Sequence, residues 1–121
     1  NSPSFKQKPG AKRGAVCYTE KRVTFGKGGF CTSIQLNWLG QGGYWIRCGE
    51  TAVCLDPYLS FSCEEHGGHT RIAPPPLDPA SIRADLFVFS HDHMDHLDEG
   101  TLRRIDLRHN RFAGPDSCLN N

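Results

Sequence analysis

Short segments in which apolar and polar residues alternate dominate the middle of the chain. Residues 34–39, 44–47 and 51–55 each follow the period of two that is typical of a β-strand. The glycine-rich segment 40–43 and residues 48–50 separate these runs, and both are suited to tight turns. The pattern therefore predicts an antiparallel meander of three short strands.

The hydrophobic pattern changes in the last third of the chain. Residues 86–89 form the continuous apolar run Leu-Phe-Val-Phe, which predicts a strand covered on both faces. Residues 98–107 are predicted to be a helix, because Leu and Ile recur at helical spacing and two acids stand at the start. Residues 111–115 predict one more strand that ends in a turn.

A long connection joins the meander to this second part. Residues 60–80 contain serines, glycines and a run of three prolines, and a loop of that length is usually functional or disordered. Residues 78–83 are predicted to form one helical turn, with Asp78 as its N-cap and Pro79 in the first position.

Charge divides the 121 residues unevenly, although the formal net charge is only +1. Residues 1–33 hold seven basic residues and one acid, whereas residues 34–121 hold seven arginines and twelve acids. We therefore expect a flexible, basic Gly/Pro/Lys-rich segment, with short strands at 15–18 and 22–25, followed by a domain. No aromatic stacking pattern accompanies the charge, so no nucleic-acid partner is expected. The apolar runs are too short to predict a membrane span.

The cysteines bear on the compartment. The chain has six, and none forms a Cys-x-x-Cys pair. Their density is below that of small disulfide-rich secreted domains, which favours reduced thiols and a cytoplasmic location.

Histidine and carboxylate side chains concentrate directly after the apolar run. Residues 90–98 read Ser-His-Asp-His-Met-Asp-His-Leu-Asp. In an extended segment His91 and His93 point to the same side and can bind one metal ion, while Asp95 and His96 turn toward a second. Two divalent ions, zinc or manganese by this donor set, would bind a hydroxide nucleophile.

The spacing His-x-His-x-Asp-His resembles the metal-binding signature of the metallo-β-lactamase superfamily. Residues 38–46 and 55–57 are similar to the opening hairpin of that fold, and the resemblance covers roughly residues 36–118. Residues 77–82 and 112–115 most resemble the L-ascorbate-6-phosphate lactonase branch. The N-acyl-phosphatidylethanolamine phospholipase D branch shares the Asp-His-Leu-Asp ending and stays open as an alternative.

The resemblance implies an α/β chain that forms the N-terminal half, over residues 34–121, of a four-layer αβ/βα sandwich. It implies that His91 and His93 bind the first metal, that Asp95 and His96 bind the second, and that Asp95 is catalytic. Asp56 matches the acid that supports the metal loop. The implied reaction is the opening of a lactone of a phosphorylated sugar acid, a small anionic substrate, by a metal-bound hydroxide.

The resemblance is incomplete. The family's remaining ligands lie well downstream of the motif, and this chain ends 25 residues after His96. We therefore expect an N-terminal part of a longer enzyme that is inactive alone. A non-catalytic truncated product that acts through a partner is the alternative, and an uncovered apolar sheet face would make either product self-associate.

The long connection holds further candidates. Cys63, His66 and His69 have the spacing of a zinc half-site but lack a clear fourth ligand. The resemblance places this region beside the substrate cleft, which makes His66, His69 and Arg71 candidates for binding an anionic substrate.

Several other polar and aromatic residues are expected to be structural. Trp38, Tyr44 and Trp45 are predicted to form the hairpin core rather than to contact a ligand. Ser90 is expected to form hydrogen bonds at the strand end and not to act as a nucleophile, because the metals would supply one.

Overall fold

A single mixed sheet organises the protein. The computed structural model describes residues 20–24 through their backbone and residues 33–119 in full. Six strands lie side by side in chain order. They are β1 (Glu20–Thr24), β2 (Ser33–Gly40), β3 (Gly43–Cys48), β4 (Thr51–Leu55), β5 (Leu86–Val88) and β6 (Arg111–Ala113).

The first four strands form an antiparallel meander. The prediction of three strands is confirmed as β2, β3 and β4, and β1 adds a fourth from within the basic segment, overlapping the strand predicted at 22–25. The strand predicted at 15–18 lies outside the described residues. The turn between β2 and β3 is tight, because Gly40 and Gln41 both have a positive φ, of 94° and 49°. Glycine adopts such angles easily, whereas glutamine rarely does.

The last strands run parallel to one another. β5 pairs in parallel with β4, and β6 pairs in parallel with β5. The carboxyl ends of these three strands therefore meet at one edge of the sheet. The loops after β4 and β5 leave the sheet at this edge, and they carry Asp56 and the histidine motif.

The core lies on one face of the sheet. Trp45 and Phe87 are fully buried there, with exposed fractions of 1% and 0%. Ile82 and Ile105 cover them from the connecting segments, and the Trp45 indole Nε1 donates to the Arg83 carbonyl at 2.8 Å. The prediction that Trp45 is a core residue is confirmed. Complete burial of a large apolar side chain contributes about 2–3 kcal/mol.

The opposite face of the sheet is apolar but only half-buried. Because side chains alternate along a strand, it presents Leu36, Ile46, Val53, Leu86 and Val88. The prediction that β5 is covered on both faces is therefore met fully on one face only: Phe87 is buried, while Leu86 and Val88 are half-exposed. The described residues contain one sheet, so the four-layer sandwich stays a prediction.

The helices are shorter than the sequence predicts. In place of a helix over 98–107, α2 spans only Glu99–Leu102, and a separate 3-10 turn follows at Leu107–His109. The Asp106 side chain caps that second turn by accepting from the Arg108 amide, which breaks the helical run. A four-residue helix has too few internal hydrogen bonds to propagate further by itself.

The long connection is partly helical. Helix α1 (Ser62–Gly67) occupies its first part and ends at Gly68, whose φ is 68°. The helical turn predicted at 78–83 is confirmed as a 3-10 turn over Pro79–Ser81, and the Asp78 carboxylate accepts from the Ala80 amide. The sequence does not predict α1, because this helix is too short to show a helical period.

One cysteine contradicts the expectation of reduced thiols. Cys48 is disulfide-bonded, whereas Cys54, Cys63 and Cys118 are free. Burial raises the pKa of the Cys54 thiol. Because disulfides persist mainly in oxidising compartments, the cysteines no longer support a cytoplasmic location. Across 20–24 and 33–119, no helix has the length and apolar character needed to cross a membrane.

Candidate metal centre

Two loops are fastened together at the carboxyl edge of the sheet. Asp56 directly follows β4, and its amide donates to the Val88 carbonyl at 2.9 Å. Its carboxylate accepts from the Ser90 amide at 2.7 Å and from the Ser90 hydroxyl at 2.6 Å. Asp56 has a φ of 42° and is 3% exposed. The loop that begins at Ser90 is therefore held by a buried carboxylate from the neighbouring strand.

Asp56 also orients His96. The His96 Nδ1 lies 2.8 Å from Asp56 Oδ2. Because an ionised carboxylate only accepts, Nδ1 is the donor, and in the neutral imidazole Nε2 is then the nitrogen available to a metal. Burial alone would raise the pKa of Asp56, but hydrogen bonds from Ser90 and His96 outweigh it and hold that pKa below its ordinary value. Carboxylate–histidine pairs of this kind orient metal ligands in proteins.

The same network sets the tautomer of His91. Its Nδ1 lies 2.8 Å from the Ser90 hydroxyl oxygen. Ser90 gives its one hydroxyl proton to Asp56, so His91 Nδ1 is the donor to Ser90, and in the neutral imidazole Nε2 is again the nitrogen available to a metal. Ser90 thus forms the strand-end hydrogen bonds that the sequence predicts.

The three histidines of the motif are neighbours. The ring centroid of His91 lies 3.9 Å from that of His96 and 4.5 Å from that of His93. Asp95 is beside them, with Oδ2 at 3.6 Å from His96 Nε2. Within the described ranges, no three His, Cys, Asp or Glu side chains are arranged to hold a metal ion as they stand.

The chemistry of these donor groups nevertheless suits a divalent cation. The donors are two imidazoles with a free Nε2, a third imidazole and a carboxylate, which is a typical set for zinc and related metals. Gly42 leaves room for this cluster, because a Cβ built on it would lie only 3.0 Å from Cε1 of His96. The β2–β3 turn therefore packs its backbone directly against one of the candidate ligands.

Gly42→Ala is expected to push the His96 ring away from Asp56. We expect a loss of about 1 kcal/mol in the free energy of unfolding, measured in urea, and a changed ring-proton shift of His96 in NMR spectra. Gly67→Ala is the matched control, because the nearest atom to its Cβ, at 3.5 Å, is an ordinary contact. Unchanged His96 shifts in Gly42→Ala would show that the ring has space to spare.

A cavity of about 630 Å³ adjoins the cluster. Met94 and Asp95 of the motif line it, and so do His69 and Arg71 of the long connection. His66 lies outside this lining; it is exposed and its Nε2 is 3.9 Å from Glu65. Of the three residues proposed to bind substrate, two therefore face the same cavity as Asp95.

Aromatic side chains form part of the cavity wall. Trp38 and Tyr58 both line it, so Trp38 is not simply part of the hairpin core as predicted. Its indole Nε1 donates to the Gln41 carbonyl at 2.9 Å, which links this wall to the β2–β3 turn. Tyr44 is half-buried on the same strand face as Trp38.

Arg71 is held rigidly in the wall of this cavity. Its Nη1 donates to the carbonyls of Tyr58 and Ser60, both at 3.1 Å, and its Nε donates to the Ala73 carbonyl at 3.0 Å. Its guanidinium carbon lies 4.2 Å from the centre of the Tyr58 ring. These contacts order the connection between β4 and the 3-10 turn. The zinc half-site of Cys63, His66 and His69 does not assemble in the part of the chain that the structure describes.

Two residues that shape this region carry no such signal in the sequence. The sequence predicts Asp98 only as part of a helix start, but it is 0% exposed and accepts from the hydroxyls of Ser60 and Ser62, both at 2.7 Å. The sequence predicts Gln41 only as part of a turn, but its Nε2 donates to Asp95 Oδ2 at 3.3 Å. Both contacts join residues far apart in the chain, so no local pattern signals them.

No protein-family model matches the chain. Over 77 residues it is 34% identical to an uncharacterized protein of Mycobacterium tuberculosis, covering 61% of this chain and 21% of the relative. It is 31% identical over 64 residues to a UPF0173 metal-dependent hydrolase of Ruegeria sp., and the match covers 53% of this chain and 25% of the relative. A metal-dependent hydrolase of Saccharolobus solfataricus is 30% identical over 83 residues, covering 68% and 33%. The chain thus spans about a fifth to a third of the length of these curated relatives.

A solved structure shares the fold. It belongs to a candidate metal-dependent hydrolase of Parabacteroides distasonis, with a TM-score of 0.60 at 14% identity. The similarity covers 85% of this chain and 39% of that protein. The names of the relatives agree with metal-dependent hydrolysis at the general level, and none of those named here specifies a lactonase.

Proposed function

We propose that this chain is part of a metal-dependent hydrolase of the metallo-β-lactamase type, with His91, His93, Asp95 and His96 among its metal ligands. The observation that carries the proposal is the hydrogen-bond network from Asp56 through Ser90, which engages Nδ1 of both His91 and His96 and leaves Nε2 as the metal-binding nitrogen of each neutral ring. The relatives named as metal-dependent hydrolases support the same conclusion.

The chemistry divides between metal and protein. The metal, proposed to be a pair of zinc or manganese ions, supplies a bound hydroxide and polarises the substrate. Asp56 keeps His96 in the tautomer that binds metal, and Ser90 does the same for His91. Asp95 is the proposed catalytic residue, because its carboxylate lies on the cavity wall where it can accept a hydrogen bond from an attacking water.

The substrate is proposed to be a small anion. Among the described residues 33–119, no ion pair joins the Arg71 guanidinium to a side-chain carboxylate. The Glu64 carboxylate accepts from the backbone amide of Arg71 instead. A lactone of a phosphorylated sugar acid satisfies this requirement, and so does a phosphodiester.

A non-catalytic role is the second proposal, and the half-buried apolar sheet face supports it. A chain that acts only through a partner, or through a second copy of itself, would cover Leu36, Ile46 and Val53 in the complex. On this proposal a longer protein that contains the chain would hydrolyse neither aliphatic lactones nor bis(4-nitrophenyl) phosphate in the presence of zinc or manganese. Hydrolysis of the lactone alone would favour the lactonase proposal, and hydrolysis of the phosphodiester alone would favour the phosphodiesterase proposal.

Metal binding tests the proposed centre directly. We expect the wild-type chain to bind Zn²⁺ in isothermal titration calorimetry, and His93→Ala and His96→Ala to weaken binding at least about tenfold. His66→Ala is the matched control, because His66 is exposed and lies outside the cavity lining. Equal binding by all four proteins would refute the assignment of the motif.

A further inference from the structure

We infer that Gln41 is a positioning residue for Asp95 at the metal centre, an inference that rests on the proposed function. The Gln41 amide Nε2 donates to Asp95 Oδ2 at 3.3 Å, across 54 positions of the chain. The next residue, Gly42, is the one that packs against His96. A single turn of the meander therefore contacts two of the four candidate ligands.

The backbone at Gln41 is strained in a way that serves this contact. Its φ of 49° lies in the left-handed region, which residues other than Gly, Asn and Asp seldom adopt. Glycine stands on both sides of it and would fit the turn without strain. A turn selected only for tightness would carry glycine here as well. Strain of this kind persists where the side chain has a function.

The turn is held in place so that the side chain can reach the motif. The indole of Trp38, a residue of β2, donates to the Gln41 carbonyl at 2.9 Å and so holds the peptide group of Gln41 in place. Gly43 packs closely too, because a Cβ on it would lie 2.8 Å from the Asp56 carbonyl. The turn is thus pressed onto the loops that carry Asp56 and Asp95, with Gln41 extending between them.

An amide suits the task. Gln41 donates to one carboxylate oxygen without adding a charge, so this contact does not form an ion pair with Asp95 as a lysine or arginine would. The same oxygen lies 3.6 Å from His96 Nε2, and the amide limits the rotation of the carboxylate relative to this neighbour. Residues that hold a ligand in this way change metal affinity by about 10–100-fold when they are replaced.

Two substitutions separate positioning from a purely structural role. Gln41→Gly relieves the left-handed strain, so we expect a higher melting temperature together with Zn²⁺ binding that is about tenfold weaker. Gln41→Glu keeps the size of the side chain but places a second carboxylate against Asp95, and its melting temperature gains nothing. In both variants the visible absorption spectrum of bound Co²⁺ should change in band position, because the ligand arrangement changes.

The outcomes distinguish this inference from the proposal beneath it. If the wild-type chain binds no metal and His93→Ala behaves in the same way, the proposed metal centre falls, and the positioning role falls with it. If the wild-type chain binds Zn²⁺ and His93→Ala does not, the centre stands. Equal affinities and Co²⁺ spectra for wild type, Gln41→Gly and Gln41→Glu would then overturn only the role of Gln41.

Discussion

Replacing Asp98 by alanine is expected to lower the free energy of unfolding by about 4 kcal/mol. Its carboxylate is fully buried and accepts five hydrogen bonds. Two come from Ser60, one from Ser62, and two from the first turn of α2. Removing the carboxylate leaves several buried donors without a partner, and each such donor costs about 1–3 kcal/mol. Since small domains are stable by about 5–15 kcal/mol, much of the stability would be lost.

Urea unfolding measures this effect, and Asp78→Ala is a matched control. Both aspartates are N-caps of short helices, but Asp78 is exposed and its other partner is the exposed Arg104. Loss of an exposed cap with its surface ion pair should cost only about 1 kcal/mol. Similar losses in the two variants would mean that Asp98 contributes as a cap alone, and that its contacts with Ser60 and Ser62 add little.

Asp56→Ala is expected to have the second largest effect. We expect it to lower the free energy of unfolding by about 3 kcal/mol and to remove most of the Zn²⁺ affinity. The substitution removes the acceptor for the Ser90 amide, the Ser90 hydroxyl and His96 Nδ1. It also places alanine at a φ of 42°, which aspartate tolerates better. Urea unfolding and zinc titration measure the two losses separately.

Asp56→Asn is the control, because asparagine keeps the shape and tolerates the same backbone angle. The pKa of Asp56 is lowered in the folded state, so its charge stabilises the fold at neutral pH. That contribution is complete above the ordinary carboxyl pKa of about 4 and is lost as the pH falls through the lower folded value. The stability gap between wild type and Asp56→Asn should therefore narrow in acid. A gap that stays constant to pH 2 would argue against an ionised Asp56.

The elements with a clear local signal were predictable from the sequence. The meander follows from alternation and glycine turns, and β5 follows from one apolar run, because both signals are contained in a few consecutive residues. Helix lengths were not predictable. Residues 98–107 have helical spacing, but tertiary contacts bury Ile105 and the Asp106 cap starts a new turn.

The candidate site was predictable only where its residues are contiguous. The motif His91 to His96 stands out in the sequence, and the resemblance indicated that Asp56 supports it. The roles of Asp98 and Gln41 depend on partners 36–54 residues away, so nothing near either residue in the chain indicates them. The disulfide at Cys48 was missed for another reason: a cysteine count sets a class of protein but not the pairing of one residue.

The parallel pairing of β4 with β5 sets the order in which this centre can form during folding. Asp56 and Ser90 are 34 residues apart, and they meet only after the chain between them has closed into a loop. Pairing between strands this far apart in the chain forms more slowly than the local β2–β3 hairpin. The histidine motif would acquire its fixed tautomers late, on a sheet already built. A metal ion would then bind the folded chain in preference to the unfolded one. Its binding would stabilise the folded state in addition to supplying the metal for the site.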